Sequence, residues 1–270
     1  MMKHNEKELF DRDLYLFDLD GTVYLGDRPF PYAVDLVHKL RADGKRVLFF
    51  TNNASRSADV YVRRLTDMGF APLPGEILTS GDVTASFLTR HRRGQKVYLL
   101  GTPALRDTFV KAGIPLADGT EKSVPIAVSS FDTTLTYDKL ERICTYIRRG
   151  AEFLSTHPDF NCPAPDGFLP DCGAINALIT ASTGAVPRYF GKPYADTVKA
   201  IAEFTGIGPD RMCVFGDRLY TDIALGKRAG ILAVLVLSGE TTPDMLEGLS
   251  DEQMPDLIYP SLREVRDLLR

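Results

Sequence analysis

The residues best suited to chemistry are acids that come directly after predicted buried strands. Asp18 and Asp20 stand two positions apart at the end of the run LYLFDLD, and an extended backbone points both carboxylates to the same side. Asp217 closes the run MCVFGD, and Asp222 lies five residues later. Hard divalent cations prefer carboxylate oxygens, and four converging carboxylates would repel one another. The sequence therefore predicts a site at which Mg²⁺ neutralises them.

A hydroxyl, an amide and a lysine complete this group. Thr51 closes the apolar part of the run RVLFFTNN, so its hydroxyl and the backbone N–H of Asn52 are placed to hold phosphate oxygens. Lys192 precedes Pro193, a residue favoured in the first turn of a helix, which predicts an ammonium group near a positive helix terminus. Ligands bind beyond the carboxyl ends of parallel strands. These positions together predict a site for a metal ion and a phosphate.

Each segment also has a plain structural interpretation when it is taken alone. The run DLDG suits a strand-ending turn, since Asp and Gly favour turns. The polar residues at 51–53 suit a cap for the helix predicted near Ser57, and Lys192 suits an ordinary surface position. The chemical interpretation therefore depends on the segments converging in the fold.

The order of apolar runs indicates the fold class. Five nearly continuous apolar runs that end abruptly in polar residues predict strands buried on both faces, at 14–20, 46–53, 186–192, 212–217 and 232–239. Amphipathic helical patterns such as 33–43 and 195–204 lie between them. This alternation predicts an α/β fold, a Rossmann-like parallel sheet with helices on both faces.

A second set of elements occupies the middle of the chain. It has predicted strands at 97–101, 125–130 and 151–156 and predicted helices at 102–112 and 137–149. Because the chemical residues lie on both sides of this block, it is predicted to be an insertion. Residues 82–185 would form this inserted α/β domain, and residues 1–81 and 186–270 would form the domain that carries the chemical residues.

Composition disfavours several classes of protein. The 270 residues are 44% hydrophobic and 25% charged, which is typical of a soluble protein. The net charge of −4 disfavours nucleic acid and anionic membranes as primary partners. The first residues, MMKHNEKELF, lack the apolar core of a signal peptide, and no apolar run approaches the ~20 residues that span a membrane. A cytoplasmic protein is expected.

The cysteines do not predict a disulfide framework. Cys144, Cys162, Cys172 and Cys213 have no regular spacing, so reduced, buried thiols are expected. A metal site formed by His157 with Cys162 and Cys172 can be imagined. The prolines of that segment indicate a turn-rich loop instead.

The chemical segments together resemble a known pattern. DLDGT (18–22), TNN (51–53), GKP (191–193) and GDRLYTDI (216–223) resemble, in order and spacing, the four motifs of haloacid dehalogenase superfamily phosphatases. The runs FLSTHPDF (153–160), PDCGAINALITASTG (170–184) and LVLSGETT (235–242) resemble the NagD-like subfamily of nucleotide and p-nitrophenyl phosphatases, class IIA with an α/β C2 cap. The resemblance covers nearly the whole chain, about residues 12–265. It implies that residues 1–81 and 186–270 are the catalytic core and that the inserted block, 82–185, is a cap that sets substrate selectivity.

The resemblance implies a Mg²⁺-dependent phosphatase that forms an aspartyl phosphate. It implies these roles: Asp18 as nucleophile, Asp20 as general acid and base, Thr51, Lys192 and the backbone amide of Asn52 as phosphate binders, and Asp18, Asp217 and the backbone carbonyl of Asp20 as metal ligands, with Asp222 supporting the metal's outer shell. The substrate would be a small phosphorylated metabolite, such as a nucleoside monophosphate or a sugar phosphate. The caps of this family often pair, which implies a homodimer.

The predicted cap departs from its relatives at two places. His157-Pro158-Asp159 stands where relatives often have Asn-Pro-Asp, and Asp171-Cys172-Gly173 stands where many have Gly-Asn-Gly. Residues His157 and Asp159 are expected to contribute to selectivity, within a recognition loop that runs from 157 to 173. A purely loop-shaping role stays open, because Pro and Gly punctuate such segments in any case.

Two other functions fit parts of the pattern. A phosphate-sensing regulator would form an aspartyl phosphate on a similar sheet without turnover, but it has no need for a proton donor two residues from its nucleophile. A phosphotransferase or mutase would keep the fold and pass the phosphate to another metabolite. Analysis of the products distinguishes this second alternative from hydrolysis.

Overall fold

The apolar runs of the sequence form short strands in the computed structural model, which describes residues 6–164 and 167–269. The strands are β1 (Leu14–Phe17), β2 (Tyr24–Leu25), β3 (Arg28–Pro29), β4 (Arg46–Thr51), β5 (Ile77–Thr79), β6 (Val97–Leu100), β7 (Ile126–Ser129), β8 (Glu152–Ser155), β9 (Asn161–Ala164), β10 (Gly167–Pro170), β11 (Arg188–Tyr189), β12 (Met212–Gly216), β13 (Leu232–Val236) and β14 (Leu257–Tyr259). The helices are α1 (Glu6–Phe10), α2 (Pro31–Ala42), α3 (Ala58–Asp67), α4 (Ser80–His91), α5 (Pro103–Lys111), α6 (Tyr137–Arg148), α7 (Cys172–Thr183), α8 (Ala195–Thr205), α9 (Ala224–Ala229) and α10 (Leu262–Leu268).

The chain divides into two units. The first contains Met1–Thr51, Tyr61–Leu78 and Lys192–Arg270, and the second contains Asn52–Val60 and Thr79–Gly191. The predicted functional division, a catalytic core at 1–81 and 186–270 with a selectivity cap at 82–185, stays a prediction.

The first unit is built on a six-stranded sheet with the order β14-β13-β12-β1-β4-β5. Strand β1 pairs in parallel with β12 on one side and with β4 on the other, and the β12–β13 and β13–β14 pairs are also parallel. Every residue of β1, β12 and β13 is buried, as expected for strands covered on both faces. The predicted α/β class with a parallel sheet is confirmed.

The direction of the chain reverses next to β1. From β1 it moves through α2 to β4, whereas from β12 it moves the other way through α9 to β13. Right-handed crossovers in opposite directions place these two helices on opposite faces of the sheet, and α2 packs against α10 while α9 packs against α8. The carboxyl ends of β1 and β12 therefore border a topological switch point, where open α/β sheets bind ligands.

The second unit has a parallel sheet of its own, with the order β11-β8-β7-β6. Its apolar core joins side chains of the sheet, such as Tyr98, to side chains of α6 and α7, such as Ile143 and Ile179. An antiparallel hairpin of β9 and β10 precedes α7. This unit therefore buries its own core, as the alternating pattern of the middle block predicts.

Local hydrogen bonds fix where helices of the second unit begin. At the start of α4, Thr79 Oγ1 accepts from the Asp82 N–H at 3.2 Å, and the Asp82 carboxylate accepts from the Thr79 N–H at 2.8 Å. Side-chain oxygens of Thr102 and Asp171 cap α5 and α7. Within the described ranges, no helix is long and apolar enough to cross a membrane.

The segment from 157 to 173 differs from its prediction as a turn-rich loop. It contains the β9–β10 hairpin, in which Pro163 lies opposite Phe168, and its last residues are Asp171, the N-cap of α7, and the first two residues of that helix. A two-stranded hairpin has free edges, so it accommodates a proline that cannot donate to a ladder. Pro165 lies outside the described residues.

Two further elements near Lys192 differ from their predictions. The run 186–192, predicted with the strands of the first sheet, contributes only Arg188–Tyr189, which pairs with β8 in the second unit. Apolar content marks a strand but does not tell which sheet it joins. Helix α8 begins at Ala195 with Tyr194 as its N-cap, so the predicted placement of Pro193 in the first helical turn is wrong.

Candidate active site

Three of the predicted core residues lie at the carboxyl ends of neighbouring strands in the first unit. Asp18 follows β1, and its N–H donates to the carbonyl of Phe215 at 2.9 Å. Thr51 is the last residue of β4, and Asp217 follows β12 directly. Because β1 lies between β4 and β12, these residues share the edge of the sheet that borders the switch point.

Three carboxylates form a tight acidic group. Ligand oxygens of Asp18, Asp217 and Asp222 all lie within 4.8 Å of one another, so the group could hold a metal ion. Burial, and then the charges of Asp18 and Asp222, raise the pKa of Asp217. Burial also raises the pKa of Asp222, although Lys192 opposes this effect. A bound cation would relieve the repulsion among these acids.

Asp217 offers an oxygen that suits a cation. Its Oδ2 accepts from the backbone N–H of Glu240 at 2.7 Å. Its Oδ1 is buried and has no hydrogen-bond partner among the residues that the structure describes. A buried carboxylate oxygen without a donor is costly unless a cation takes the donor's place. The carboxylate oxygens of this group therefore fit a hard divalent cation.

Glycines make room for this carboxylate. A Cβ atom built at Gly21 would lie 2.4 Å from Asp217 Oδ2, and one built at Gly239 would lie 2.0 Å from the same oxygen. Gly21 also has a φ of +82°, which side chains rarely tolerate. The glycine that follows Asp20 is therefore required both by the turn and by the close approach of Asp217.

Lys192 lies between two members of the acidic group. Its ammonium group donates to Asp18, lies 2.6 Å from Asp222 Oδ1, and donates to the carbonyl of Phe50 at 3.3 Å. Burial alone would lower the pKa of this lysine, but the charges of Asp18 and Asp222 outweigh burial and raise it. The ammonium group therefore stays charged next to Asp18.

Asp20 is half-buried and lies two residues after Asp18 in the chain. Its carboxylate does not belong to the group of Asp18, Asp217 and Asp222. Burial and the charge of Asp18 raise the pKa of Asp20, and Arg64 and Arg218 partly oppose this shift. A raised pKa keeps a proton available for transfer, which suits a general acid. The predicted roles of Asp20, as acid and base and as a backbone metal ligand, stay predictions.

A loop after β13 orients Asp217, and sequence reasoning missed it. Besides the Glu240 N–H, the hydroxyl of Thr241 donates to the backbone carbonyl of Asp217 at 2.6 Å. The run LVLSGETT marks this segment by resemblance but gives no role to its residues. The glycine inside it was the available signal, because a small residue often marks a close approach.

Arg218 is a second residue that sequence reasoning missed. Its guanidinium lies 2.9 Å from Glu240 Oε2. Burial would lower its pKa, but the charge of Asp18, followed by weaker contributions from Asp217 and Glu240, raises it. Arg218 therefore adds a fixed positive charge beside the acidic group. In the sequence, only its place directly after Asp217 marks it.

The remaining predicted residues belong to the second unit. The side-chain amide of Asn52 donates to both carboxylate oxygens of Asp159 at 3.2 Å. His157 has no exposed surface, and its Nε2 lies 2.8 Å from Asp171 Oδ1. The predicted contribution of His157 to selectivity stays a prediction, and its burial suggests the positioning role that is proposed below.

The cysteines follow the sequence expectation in part. All four are free thiols, and Cys144, Cys172 and Cys213 are buried, whereas Cys162 is partly exposed. In the part of the chain that the structure describes, neither Cys162 nor Cys172 belongs to a group that could hold a metal. The imagined site of His157 with two cysteines is not formed.

Comparisons with known proteins identify the family of the chain. Models described as haloacid dehalogenase-like hydrolase and HAD-hydrolase-like match residues 15–115 and 189–265. An acid sugar phosphatase of Staphylococcus aureus (strain MRSA252) is 32% identical over 241 residues, which is 89% of this chain and 91% of the relative. The crystal structure of a 4-nitrophenylphosphatase from Thermotoga maritima has a TM-score of 0.92 and 40% identity, and covers 99% of this chain and 100% of its own.

A second solved structure is similar over most of the chain. NagD from E. coli K-12 has a TM-score of 0.86 and 28% identity, and covers 94% of this chain and 98% of its own. The chain therefore belongs to the haloacid dehalogenase-like hydrolases. The predicted NagD-like relationship and the predicted enzyme class, a phosphoric monoester hydrolase, are confirmed. The roles of the individual site residues stay proposals.

Proposed function

We propose that the protein hydrolyses a small phosphorylated metabolite in a Mg²⁺-dependent reaction that passes through a phosphorylated Asp18. The observation that carries this proposal is the placement of Asp18, whose carboxylate is bonded to a buried ammonium group and belongs to an acidic group that suits a cation. The site thus combines a nucleophile with positive charge that favours a phosphate. Phosphate release from a panel of phosphorylated metabolites, measured with and without Mg²⁺, tests it.

In the first step, a carboxylate oxygen of Asp18 attacks phosphorus and the bond from phosphorus to the leaving oxygen breaks. Asp20 gives its proton to that oxygen, so the metabolite leaves as an alcohol. Its raised pKa supports this role, because a protonated carboxyl group is needed at this moment. Asp18 is left as an aspartyl phosphate.

In the second step, the carboxylate of Asp20 takes a proton from water, and the water oxygen attacks phosphorus. The bond from phosphorus to the Asp18 oxygen breaks, which restores the carboxylate and releases inorganic phosphate. Thr51, the backbone N–H of Asn52 and Lys192 would hold the phosphoryl oxygens during both steps, because charge spreads over those oxygens in the transition state.

Mg²⁺ would be held by Asp18, Asp217 and the backbone carbonyl of Asp20. Asp222 would support the outer shell of the metal. The ion would supply positive charge that offsets the negative charge of the phosphoryl group. Asp222 also contacts Lys192, so it links the proposed metal site to the phosphate site.

The substrate class is proposed from the relatives and from charge. The S. aureus relative is named an acid sugar phosphatase, which makes sugar phosphates the first members of the panel, before nucleoside monophosphates. p-Nitrophenyl phosphate would serve as an artificial substrate. The net charge of −4 supports a small metabolite over nucleic acid or a membrane surface. A cytoplasmic location and a homodimer remain part of this proposal.

Replacing Asp20 with Asn is expected to impair both chemical steps, because an amide can neither protonate a leaving oxygen nor deprotonate water. The first step should suffer less with p-nitrophenyl phosphate than with an alkyl phosphate, since p-nitrophenolate leaves readily without a proton. Single-turnover rates with the two substrates provide the measurement. Equal losses for both would count against Asp20 as the acid.

A further inference from the structure

A set of buried polar side chains in the second unit leads to Asn52. Ser80 and His157 have no exposed surface, and Asn52 and Asp171 are 5% and 3% exposed. All four residues belong to the second unit, and Asn52 directly follows the end of β4. The mechanism above uses the backbone N–H of Asn52 and leaves the other three side chains without a role.

Hydrogen bonds connect these side chains in series. Asp171 Oδ1 lies 2.8 Å from His157 Nε2, and His157 Nδ1 lies 3.4 Å from Ser80 Oγ. The hydroxyl of Ser80 donates to the backbone carbonyl of Asn52 at 2.5 Å. We call this series the Asn52 relay. The series ends at Asn52, whose backbone N–H is proposed above to hold a phosphate oxygen.

The hydrogen bonds of the relay favour a positively charged His157. An ionised Asp171 only accepts, so His157 Nε2 carries a hydrogen. Ser80 has one proton and donates it to Asn52, while Thr156, whose Oγ1 lies 2.9 Å from Nδ1, donates its own to Ser130 at 3.0 Å. With the protons in these places both oxygens that face Nδ1 accept, so Nδ1 would carry a hydrogen too and His157 would be an imidazolium ion.

The groups around His157 favour this charge. The ionisable groups that face it are Asp171, Asp159 and the thiol of Cys172. Burial by itself lowers the pKa of His157, but the charges of Asp171 and Asp159 and the hydrogen bond to Asp171 outweigh burial, and the pKa is raised. The pairing is the one expected for a buried charge, which needs a partner.

The same residues are less suited to a metal ion. Ligand atoms of His157, Asp159 and Asp171 lie within 4.8 Å of one another. Each of them already has a protein partner, however: His157 uses both ring nitrogens, Asp171 also accepts from the N–H of Cys172 at 2.6 Å, and Asp159 accepts from Asn52. The group is satisfied by hydrogen bonds without a cation.

We propose that Ser80 and His157 are positioning residues for phosphate binding, which act by fixing the orientation of Asn52. Ser80 holds the backbone carbonyl of Asn52, and Asp159 holds its side chain. With the carbonyl and the side chain both held, the Cα of Asn52 and the amide nitrogen attached to it are fixed in place, which restricts the direction of the N–H. Ser80 is itself rigid, because it is the first residue of α4, whose start is fixed by a capping box. This role rests on the proposed function of Asn52.

The relay changes what is expected of the second unit. Asp159 was expected to distinguish substrates by their leaving groups, but its carboxylate is bonded to Asn52. Loss of Asp159 should therefore weaken the phosphate contact that all substrates share, and so affect a minimal substrate and a true metabolite alike.

Ser80→Ala tests the relay. Loss of one neutral hydrogen bond should raise KM and the inhibition constant of inorganic phosphate by about 5- to 10-fold, and leave kcat within about 2-fold, because the contact is made before and during the reaction. A merely structural role would lower kcat through loss of active protein, whereas KM and the inhibition constant do not depend on the active fraction. Unchanged values of both would overturn the proposal.

Ser129→Ala is the matched control. Ser129 is equally buried in the same unit, and its hydroxyl bonds to Asn176 rather than to the relay. This variant should leave KM and the inhibition constant of phosphate unchanged. An equal rise in both serine variants would mean that the second unit has simply loosened, which would overturn the specific role of Ser80.

The pH dependence tests the part played by His157. Above the pKa of His157, which is raised from 6.5, Nδ1 becomes an acceptor and competes with the Asn52 carbonyl for the proton of Ser80. The relay is therefore intact at low pH and weakened as pH rises through that pKa. The ionisation of phosphate affects the inhibition constants of both proteins equally. Its effect cancels when the constant of Ser80→Ala is divided by that of the unmodified protein. The quotient should fall towards one between about pH 6 and about pH 9.

A quotient that stays large and constant over this range would overturn the role of His157. Failure of the proposed function would look different, because the unmodified protein would then release phosphate from no monoester. In that case, calorimetric titration of inorganic phosphate in the presence of Mg²⁺ would still test whether Ser80 affects phosphate affinity. Equal dissociation constants for Ser80→Ala and the unmodified protein would reject it.

Discussion

Asp18→Asn should lower kcat by about 10⁴-fold or more, the scale of loss when a covalent nucleophile is removed. A neutral amide lacks the carboxylate oxygen that attacks phosphorus, and no other acid of the site follows β1 directly. The fold should survive, because Asp18 lies at the open end of the sheet and its backbone N–H still donates to Phe215. Steady-state kinetics and thermal unfolding provide the measurements.

Asp13→Asn is a suitable control for this variant. Asp13 precedes the other end of β1 and forms a partly exposed ion pair with Arg211 at 2.8 Å. Exposed pairs of this kind contribute little to stability, so both folding and activity should be nearly unchanged. Activity of Asp18→Asn at the level of this control would falsify the nucleophilic role.

Removal of divalent cations should abolish phosphatase activity, and addition of Mg²⁺ should restore that activity. The reason is electrostatic: Asp18, Asp217 and Asp222 are brought within 4.8 Å, and a phosphate adds further negative charge. Addition of EDTA is expected to lower kcat by about 10³-fold or more, comparable with the loss of a key source of transition-state stabilisation. Full activity in EDTA would exclude a metal-dependent mechanism.

Asp217→Asn tests whether the ion occupies the predicted group. The orphaned Oδ1 of Asp217 marks the point where the cation would bind, so loss of its charge should raise the Mg²⁺ concentration needed for half-maximal activity by at least about 10-fold. Calorimetric titration of Mg²⁺ gives the same comparison without catalysis. Asp13→Asn should bind Mg²⁺ like the unmodified protein. Equal affinities in both variants would place the metal elsewhere.

The sequence was informative where hydrophobic runs end. A strand buried on both faces must be apolar, and its first polar residue must therefore stand at the edge of the sheet. This reasoning located Asp18, Thr51 and Asp217 at strand ends without any contact information. The resemblance to known motifs then suggested their roles, which the spacing alone left open.

Other features depend on tertiary contacts that no local pattern carries. The short strand Arg188–Tyr189 is ordinary in sequence, and its pairing with β8 decides which sheet it joins. His157 was expected to contribute to selectivity because it stands where relatives often have Asn, but its burial depends on how α7 and the neighbouring strands pack. Arg218 meets Glu240, and the Glu240 N–H reaches Asp217, only because the fold brings these segments together.

The two alternative functions make different predictions about products. A phosphotransferase or mutase would consume a phosphorylated donor and yield a phosphorylated acceptor, whereas the proposed phosphatase yields inorganic phosphate in an amount equal to the alcohol released. A regulator would stop after one equivalent of alcohol. Measurement of alcohol and phosphate in the same reaction therefore separates the three functions.

The most direct test of the account is to find where the phosphoryl group is held during turnover. The Asp20→Asn variant should react with p-nitrophenyl phosphate and Mg²⁺ in the first step but hydrolyse the intermediate slowly, so phosphorylated protein should accumulate. Acid quenching followed by mass spectrometry of peptides should show one added phosphoryl group on Asp18. A phosphoryl group on any other residue, or release of p-nitrophenol by this variant without a phosphorylated protein, would contradict it.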